Sequence, residues 1–269
     1  MSAAAPPPAP TAPPKTATPP PPTPPRPRIP ELHDAGTLHR DSVDADRWVV
    51  NGLVKVTGDV HLGDGKVVGT VAIGGRLSAS NVQYRGTLDV DGAVEATGSV
   101  TGTGVLRTGA TFHAATADLR GGARVGGAVT VDRGGRVRGS LTCPSAVIGE
   151  LDLDGEAQIP GELGGLTIRA RLKENSSFGT VRARSVVLRA KRPNLVDKVF
   201  FRTVRVTVER VEAETAELEG VDVTFVRSPQ ITLGPDAHVT EYEGTVVKRH
   251  PTSRVGFESK SPRPYGLRR

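Results

Sequence analysis

The chain is predicted to be all-β, a parallel β-helix (triangular β-solenoid) with 17 or 18 residues per coil and disordered termini. Three observations carry this. Apolar residues recur at steps of 17 or 18, each tends to have an apolar partner two positions on, and glycines punctuate the intervals.

One series reads Val54, Val71, Leu88, Val105, Ala123, Leu141, Ile159, with steps of 17, 17, 17, 18, 18 and 18. A second runs Val60, Leu77, Val94, Phe112, Val129, Val147. The third is Val82, Val100, Ala117, Gly134, Leu151, Ile168, Val186, Val204, Val221, Val239, with Gly134 as its only failure. Val56, Ile73, Val90, Val125 and Cys143 follow members of the first series with one residue between, the period-2 signature of a strand burying alternate side chains. Arg107 and Gly161 break that rule. Three apolar strands per 17 or 18 residues give about six residues per strand and turn, and each coil buries its neighbour's face.

Of 32 glycines, 25 lie between Gly52 and Gly165, where a triangular coil must turn sharply three times. They do not form a phosphate cradle. Neither Gly-x4-Gly-Lys-Ser/Thr nor a complete Gly-x-Gly-x-x-Gly before a helical pattern is present. No cofactor is expected.

Three regions follow. Residues 1–46 are a proline-rich tail and lead-in; the first 30 hold 14 of the 22 prolines and cannot bury a core. Residues 47–247 are the β-helix, about 11 coils and on the order of 50 Å at one strand spacing per coil. Residues 248–269 are a second tail. The first 30 residues carry +3 and residues 248–269 carry +6; against a net +6 for the chain, the middle is left at −3. The basic excess is therefore terminal, on Lys248, Arg249, Arg254, Lys260, Arg263, Arg268 and Arg269 at the C-terminal side. Such tails are candidates for contact with anionic membrane, DNA or acidic protein, or they only keep rods apart. No run of 18 apolar residues and no signal-peptide core is present, so the expected address is cytoplasmic, with membrane association through the tails as an option.

Basic residues dominate from Arg169 to Arg205 and acidic ones follow. Offsets of one coil place Lys191 beside Glu209, Arg202 beside Glu219 and Arg205 beside Asp222, which reads as inter-coil ion pairs rather than a groove for nucleic acid.

The enzyme alternative is a trimeric hexapeptide-type β-helix, acyltransferase or carbonic anhydrase-like. His61 and His113 face outward about three coils apart, roughly 14 Å, too far to share one zinc; His238 is further still. Asp89 and Asp152 also face outward, several coils apart, with no nucleophile beside them. The spacing shows no insertion beyond a few residues, hence no loop-built cleft. The single cysteine, Cys143, is expected in the core. No catalytic or metal-binding residue is assigned and no small-molecule substrate is expected.

Segments such as Gly69-Thr70-Val71-Ala72-Ile73-Gly74 and Gly86-Thr87-Leu88-Asp89-Val90-Asp91-Gly92, between a proline-rich N-terminal tail and a short charged C-terminal one, resemble the bactofilins, polymer-forming cytoskeletal proteins. The resemblance is clear over residues 47–165; residues 166–247 are additional coils or a second β-helix segment. It implies a right-handed helix that associates end to end into nucleotide-independent, non-polar filaments and serves as a scaffold, for cell shape among other tasks. The family's short apolar membrane-attaching segment has no counterpart in Met1 to Pro10. Open sheet edges at the ends of a solenoid point independently to self-association. Its partner would be itself. The candidate docking faces are Trp48, Val49 and Val50 at one end and Val239, Tyr242 and Val246 at the other.

Overall fold

The computed structural model describes residues 28–173, 175–191 and 206–259. It is all-β, with 13 parallel strands in one sheet stacked in chain order as a solenoid. The strands are β1 (Ile29–Arg40), β2 (Val43–Val56), β3 (Val60–Ile73), β4 (Leu77–Val90), β5 (Val94–Thr108), β6 (Phe112–Val125) and β7 (Val129–Thr142). They continue as β8 (Ala146–Leu172), β9 (Ser177–Ala190), β10 (Thr207–Glu219), β11 (Asp222–Leu233), β12 (His238–Arg249) and β13 (Arg254–Glu258). Each runs round the corners of a coil and pairs only with the coils before and after. At 27 residues, β8 winds past its own start, with the Lys173 amide donating to the Gly155 carbonyl at 2.7 Å.

The apolar series stack as inward columns. Val54, Val71 and Leu88 sit in register, as do Val60, Leu77, Val94, Phe112 and Val129. Four assignments shift by one or two residues. Leu106 follows Leu88 in place of Val105, and Ala157 follows Leu141 in place of Ile159. Gly135 occupies the third column in place of Gly134, and Ala146 follows Val129 in place of Val147, which is exposed. The cause is a corner that gains or loses one residue: pairing slips at Ala79/Val82, Ala96/Ser99, Ala114/Thr116 and Val131/Gly134. The shifts also remove both exceptions to the alternate-residue rule. Thr108, not Arg107, is the buried partner of Leu106, and its hydroxyl donates to the Gly92 carbonyl at 2.6 Å. Ile159, not Gly161, is the buried partner of Ala157.

One corner is a column of glycines in successive coils, Gly36, Gly52, Gly69, Gly86, Gly104, Gly121, Gly139 and Gly155. At Gly86 φ is +127°, and a Cβ there would stand 2.0 Å from the Gly69 carbonyl oxygen. No L side chain fits. A second kind of glycine balances volume inside: the Tyr84 ring fills the space of the side chain that Gly102, its register partner, lacks.

Strands extend past both expected ends of the β-helix. β1 and the start of β2 lie within residues 1–46, and β12 and β13 carry part of residues 248–269 into the sheet. The first 27 residues and the last 10 lie outside the described residues. After β9 the spacing departs from 17 to 18. Ser177 pairs with Thr207, Thr207 with Asp222, and Asp222 with His238, steps of 30, 15 and 16. The step of 30 is an insertion that the apolar spacing concealed. Val186 therefore continues to Ala216, Ile231 and Val246. Val221 is buried outside that column, Val239 stacks on Val223, and Val204 lies outside the described residues.

Candidate functional site

The two ends of the solenoid are the first candidate, because among the described residues β1 and β13 each pair on one side only. At the N-terminal end the second inward position of the first coil is a carboxylate, Asp34, in line with Val50 of the next coil. Arg40 reaches back to it with two hydrogen bonds, Nε to Oδ2 at 2.8 Å and Nη2 to Oδ1 at 2.5 Å. The indole Nε1 of Trp48 donates to Oδ2 at 2.9 Å. The Asp34 side chain is 1% exposed. The hydrogen bonds from Arg40 and Trp48 outweigh burial and hold its carboxyl below the usual carboxylate range. The Asp34–Arg40 pair neutralises the inward charge of the edge coil within that coil.

Trp48 and Val50 are consequently interior, 1% and 0% exposed, beneath the β1 coil, and Val49 lies on the outer surface between His33 and Lys66. None belongs to a terminal layer, which corrects the expected N-terminal docking face. The β1 coil escaped the sequence because Leu32 and Asp34 replace the usual apolar pair. Gly36 was the available signal, one coil before Gly52 in the glycine column.

At the C-terminal end Val239 is buried between Val223 and Val255. Tyr242 and Val246 are partly buried against the core, as is Val255 in β13, while Val247 and Phe257 are exposed. The C-terminal end is thus Tyr242 and Val246 on the same coil as Val239, with β13 beyond them, where Val255 covers Val239 and Phe257 lies outward beside Glu241. Of the basic residues assigned to a tail, Lys248 and Arg249 belong to β12 and Arg254 to β13; Lys260, Arg263, Arg268 and Arg269 lie outside the described residues.

Charges on the later coils do form ladders, with other partners than expected. Arg182, Glu212, Arg227 and Glu243 succeed one another in register, one per coil. Arg182 meets Glu212 at 3.0 Å and Arg227 meets Glu243 at 2.7 Å. Burial pushes the Glu212 carboxyl up, but hydrogen bonds from Arg182 and Arg210 prevail and hold it below its ordinary value. Lys191 pairs with Asp154 rather than Glu209. Arg202 and Arg205 lie outside the described residues.

His61, His113 and His238 are exposed on separate coils; His113 Nε2 sits 3.1 Å from Asp132 Oδ1, and His238 Nδ1 is 3.8 Å from Asp222. Cys143 is buried, which pushes its thiol up to about 12 and leaves it protonated at neutral pH. Among the described residues no three His, Cys, Asp or Glu side chains stand together to hold a metal ion, and no helix is long and apolar enough to cross a membrane.

An open depression of about 350 Å3 lies on the outer side of β3, β4 and β5. Its floor is Tyr84 and Gly102, and Lys66, Arg85, Thr101 and Thr103 stand round it. No family model, curated protein or solved structure matches the chain.

Proposed function

We propose that this chain is a self-assembling scaffold whose solenoids join end to end into filaments, without nucleotide, cofactor or catalysis, in the cytoplasm. The observation that carries it is the pair of half-used edges. Among the described residues β1 and β13 leave one row of backbone N–H and C=O groups unpaired, each beside apolar residues only partly covered: Leu32 and Leu38 at one end, Tyr242, Val246 and Val255 at the other. Backbone pairing across such edges continues the ladder, and covering the apolar layer adds to it. Because Asp34 is neutralised inside its own coil, the first coil presents no net buried charge to an incoming copy. The resemblance to the bactofilins points the same way.

Electron microscopy and sedimentation of the purified protein without nucleotide test the proposal. Elongated polymers are expected at micromolar concentration in low and in physiological salt. A monomer under both conditions refutes it.

A further inference from the structure

The outer side carrying the depression is rich in cations. Two outward columns run along it. One contains Lys66, Gln83 and Thr101, the other Arg85, Thr103, Arg120 and Arg138. The hydrogen bond between Lys173 and Gly155 brings the next coil into register and places Arg171 beyond Asp154 in the second column, with Arg169 parallel to it in the first.

Most arginines elsewhere on the molecule face a carboxylate in a neighbouring coil. Here Lys66, Arg85, Arg138, Arg169 and Arg171 have no ion-pair partner among the described residues. The acids on this side are already engaged: Asp118 with Arg120 at 3.8 Å, Asp152 with Arg136 at 3.6 Å, and Asp154 with Lys191. A row of unpaired cations on a flat, stacked face costs self-repulsion without any structural return, and the ladders on β9 to β12 show that this chain can pair its charges when only stability is at stake.

The seat itself narrows the chemistry of the occupant. Lys66 on β3 is followed in its column by Gln83 on β4 and Thr101 on β5, Arg85 on β4 is followed by Thr103, and Val68, 40% exposed, supplies an apolar surface beside them. The Tyr84 ring, packed inward into the space that Gly102 leaves, closes the floor of the depression from below. Cations for carboxylates, hydroxyls and an amide for hydroxyls, and an apolar patch for a ring's C–H face are the contacts of an acidic sugar. Stacking surfaces for nucleobases are missing from the seat, where the one aromatic ring, Tyr84, is 5% exposed and lies in the floor.

We propose that this face binds an extended acidic polysaccharide along the solenoid axis, seated at Lys66, Arg85, Thr101 and Thr103 and carried on by Arg138 and Arg171. From Arg85 to Arg138 is three coils and from Arg138 to Arg171 two, about 14 and about 10 Å at one strand spacing per coil. A linear chain with repeated carboxylates can meet each guanidinium in turn, bidentate where the sugar acid lies flat. This does not depend on end-to-end assembly, since the columns lie on the side of the solenoid.

The test uses the full chain, with linear polygalacturonate, a neutral glycan of similar length and oligothymidylate as probes, read by affinity electrophoresis and calorimetry. Polygalacturonate should bind, more weakly as salt rises, and the neutral glycan should not. The double variant Lys66→Gln with Arg85→Gln should weaken polygalacturonate binding about tenfold. Thr101→Val with Thr103→Val, which keeps charge and β-branched shape, should weaken it several-fold. Lys55→Gln with Arg124→Gln, an equal loss of charge on the adjoining side, should leave it unchanged. Absence of polygalacturonate binding overturns the proposal, as does binding that none of the Lys66, Arg85 or threonine variants alters, which assigns it to the basic termini. Tighter binding of oligothymidylate, lost with Lys66 and Arg85, replaces the glycan with single-stranded nucleic acid.

Discussion

The indole nitrogen of Trp48 donates a 2.9 Å hydrogen bond to the carboxylate of Asp34 from the next coil, inside the solenoid. With Arg40 this closes the first coil over the second, so the one tryptophan of the chain reports on the N-terminal end. Asp34→Ala removes charge-assisted hydrogen bonds from a buried site and should cost about 3 kcal/mol. Trp48 emission, blue-shifted in the native protein, should shift red at lower denaturant than circular dichroism changes. Coincident transitions unchanged from wild type would show that the cap does not hold the end.

The same group sets an acid limit. The Asp34 carboxyl is held below its ordinary 3.8 in the fold, so its contribution is fully present above the unfolded value and is lost as pH falls through the folded one. In wild type, stability should decline as pH falls below about 4 by more than in Asp34→Asn, which has no carboxyl to protonate there. Equal acid sensitivity of the two would remove Asp34 from that window.

Glycine positions separate backbone demand from spacing alone. Gly86→Ala places a Cβ 2.0 Å from a backbone oxygen at a φ of +127°, and should cost about 3 kcal/mol or prevent folding. Gly122→Ala, whose Cβ would find only the Ser140 hydroxyl at 3.4 Å, should stay within about 1 kcal/mol of wild type. Melting temperatures of the two variants decide.

What the sequence could and could not reveal follows from how a solenoid tolerates change. Inward columns repeat, so Val54, Val71 and Leu88 were legible from spacing. Val105 was not distinguishable from Leu106, because both are apolar and the corner before them gains one residue that spacing cannot locate. The coils after β9 were legible as apolar alternation, but their partners were not: a step of 30 followed by steps of 15 and 16 puts Arg182 beside Glu212 rather than a residue 17 or 18 away. The Asp34 cap was invisible because its logic is tertiary. A carboxylate reads as surface until Arg40 and Trp48 close round it. Likewise, the Tyr84 ring fills the space that Gly102 leaves in the next coil, a pairing across coils that neither residue announces.

Tyr84 and Gly102 give the packing prediction. The missing side chain at Gly102 is occupied by the ring, whose Cε1 would lie 1.9 Å from a Cβ there. Gly102→Ala should therefore destabilise by about 2 kcal/mol through overpacking. Tyr84→Val, which opens the space, should make the same alanine nearly neutral, so the double mutant is more stable than the sum of the singles. Burial that pushes the Tyr84 phenol up to about 12 should be lost on unfolding, visible as an increment of phenolate absorbance on denaturation near pH 11 that Tyr84→Phe lacks. Additive effects of Gly102→Ala and Tyr84→Val would mean the two residues do not share that volume.

Assembly is tested best at the C-terminal coil, and the choice of residue follows from burial. Trp48→Glu and Val239→Arg would each place a charge in a layer already covered, and both should unfold neighbouring coils at several kcal/mol. A loss of polymers in either would report folding, not docking. Phe257 is 62% exposed in a five-residue edge strand, next to Glu241 of the last full coil. Phe257→Arg costs the isolated solenoid little, because the side chain already meets solvent, yet puts an unpaired charge where a second copy must dock. Polymers should give way to small species in sedimentation, with an unchanged circular dichroism spectrum and melting temperature. A matched charge on an outer face away from the ends, Val147→Arg, should leave polymers intact, since Val147 is exposed but belongs to a coil paired on both sides. If Val147→Arg dissolves the polymers and Phe257→Arg does not, association runs through the sides of the solenoid and the edge strands are not the joints.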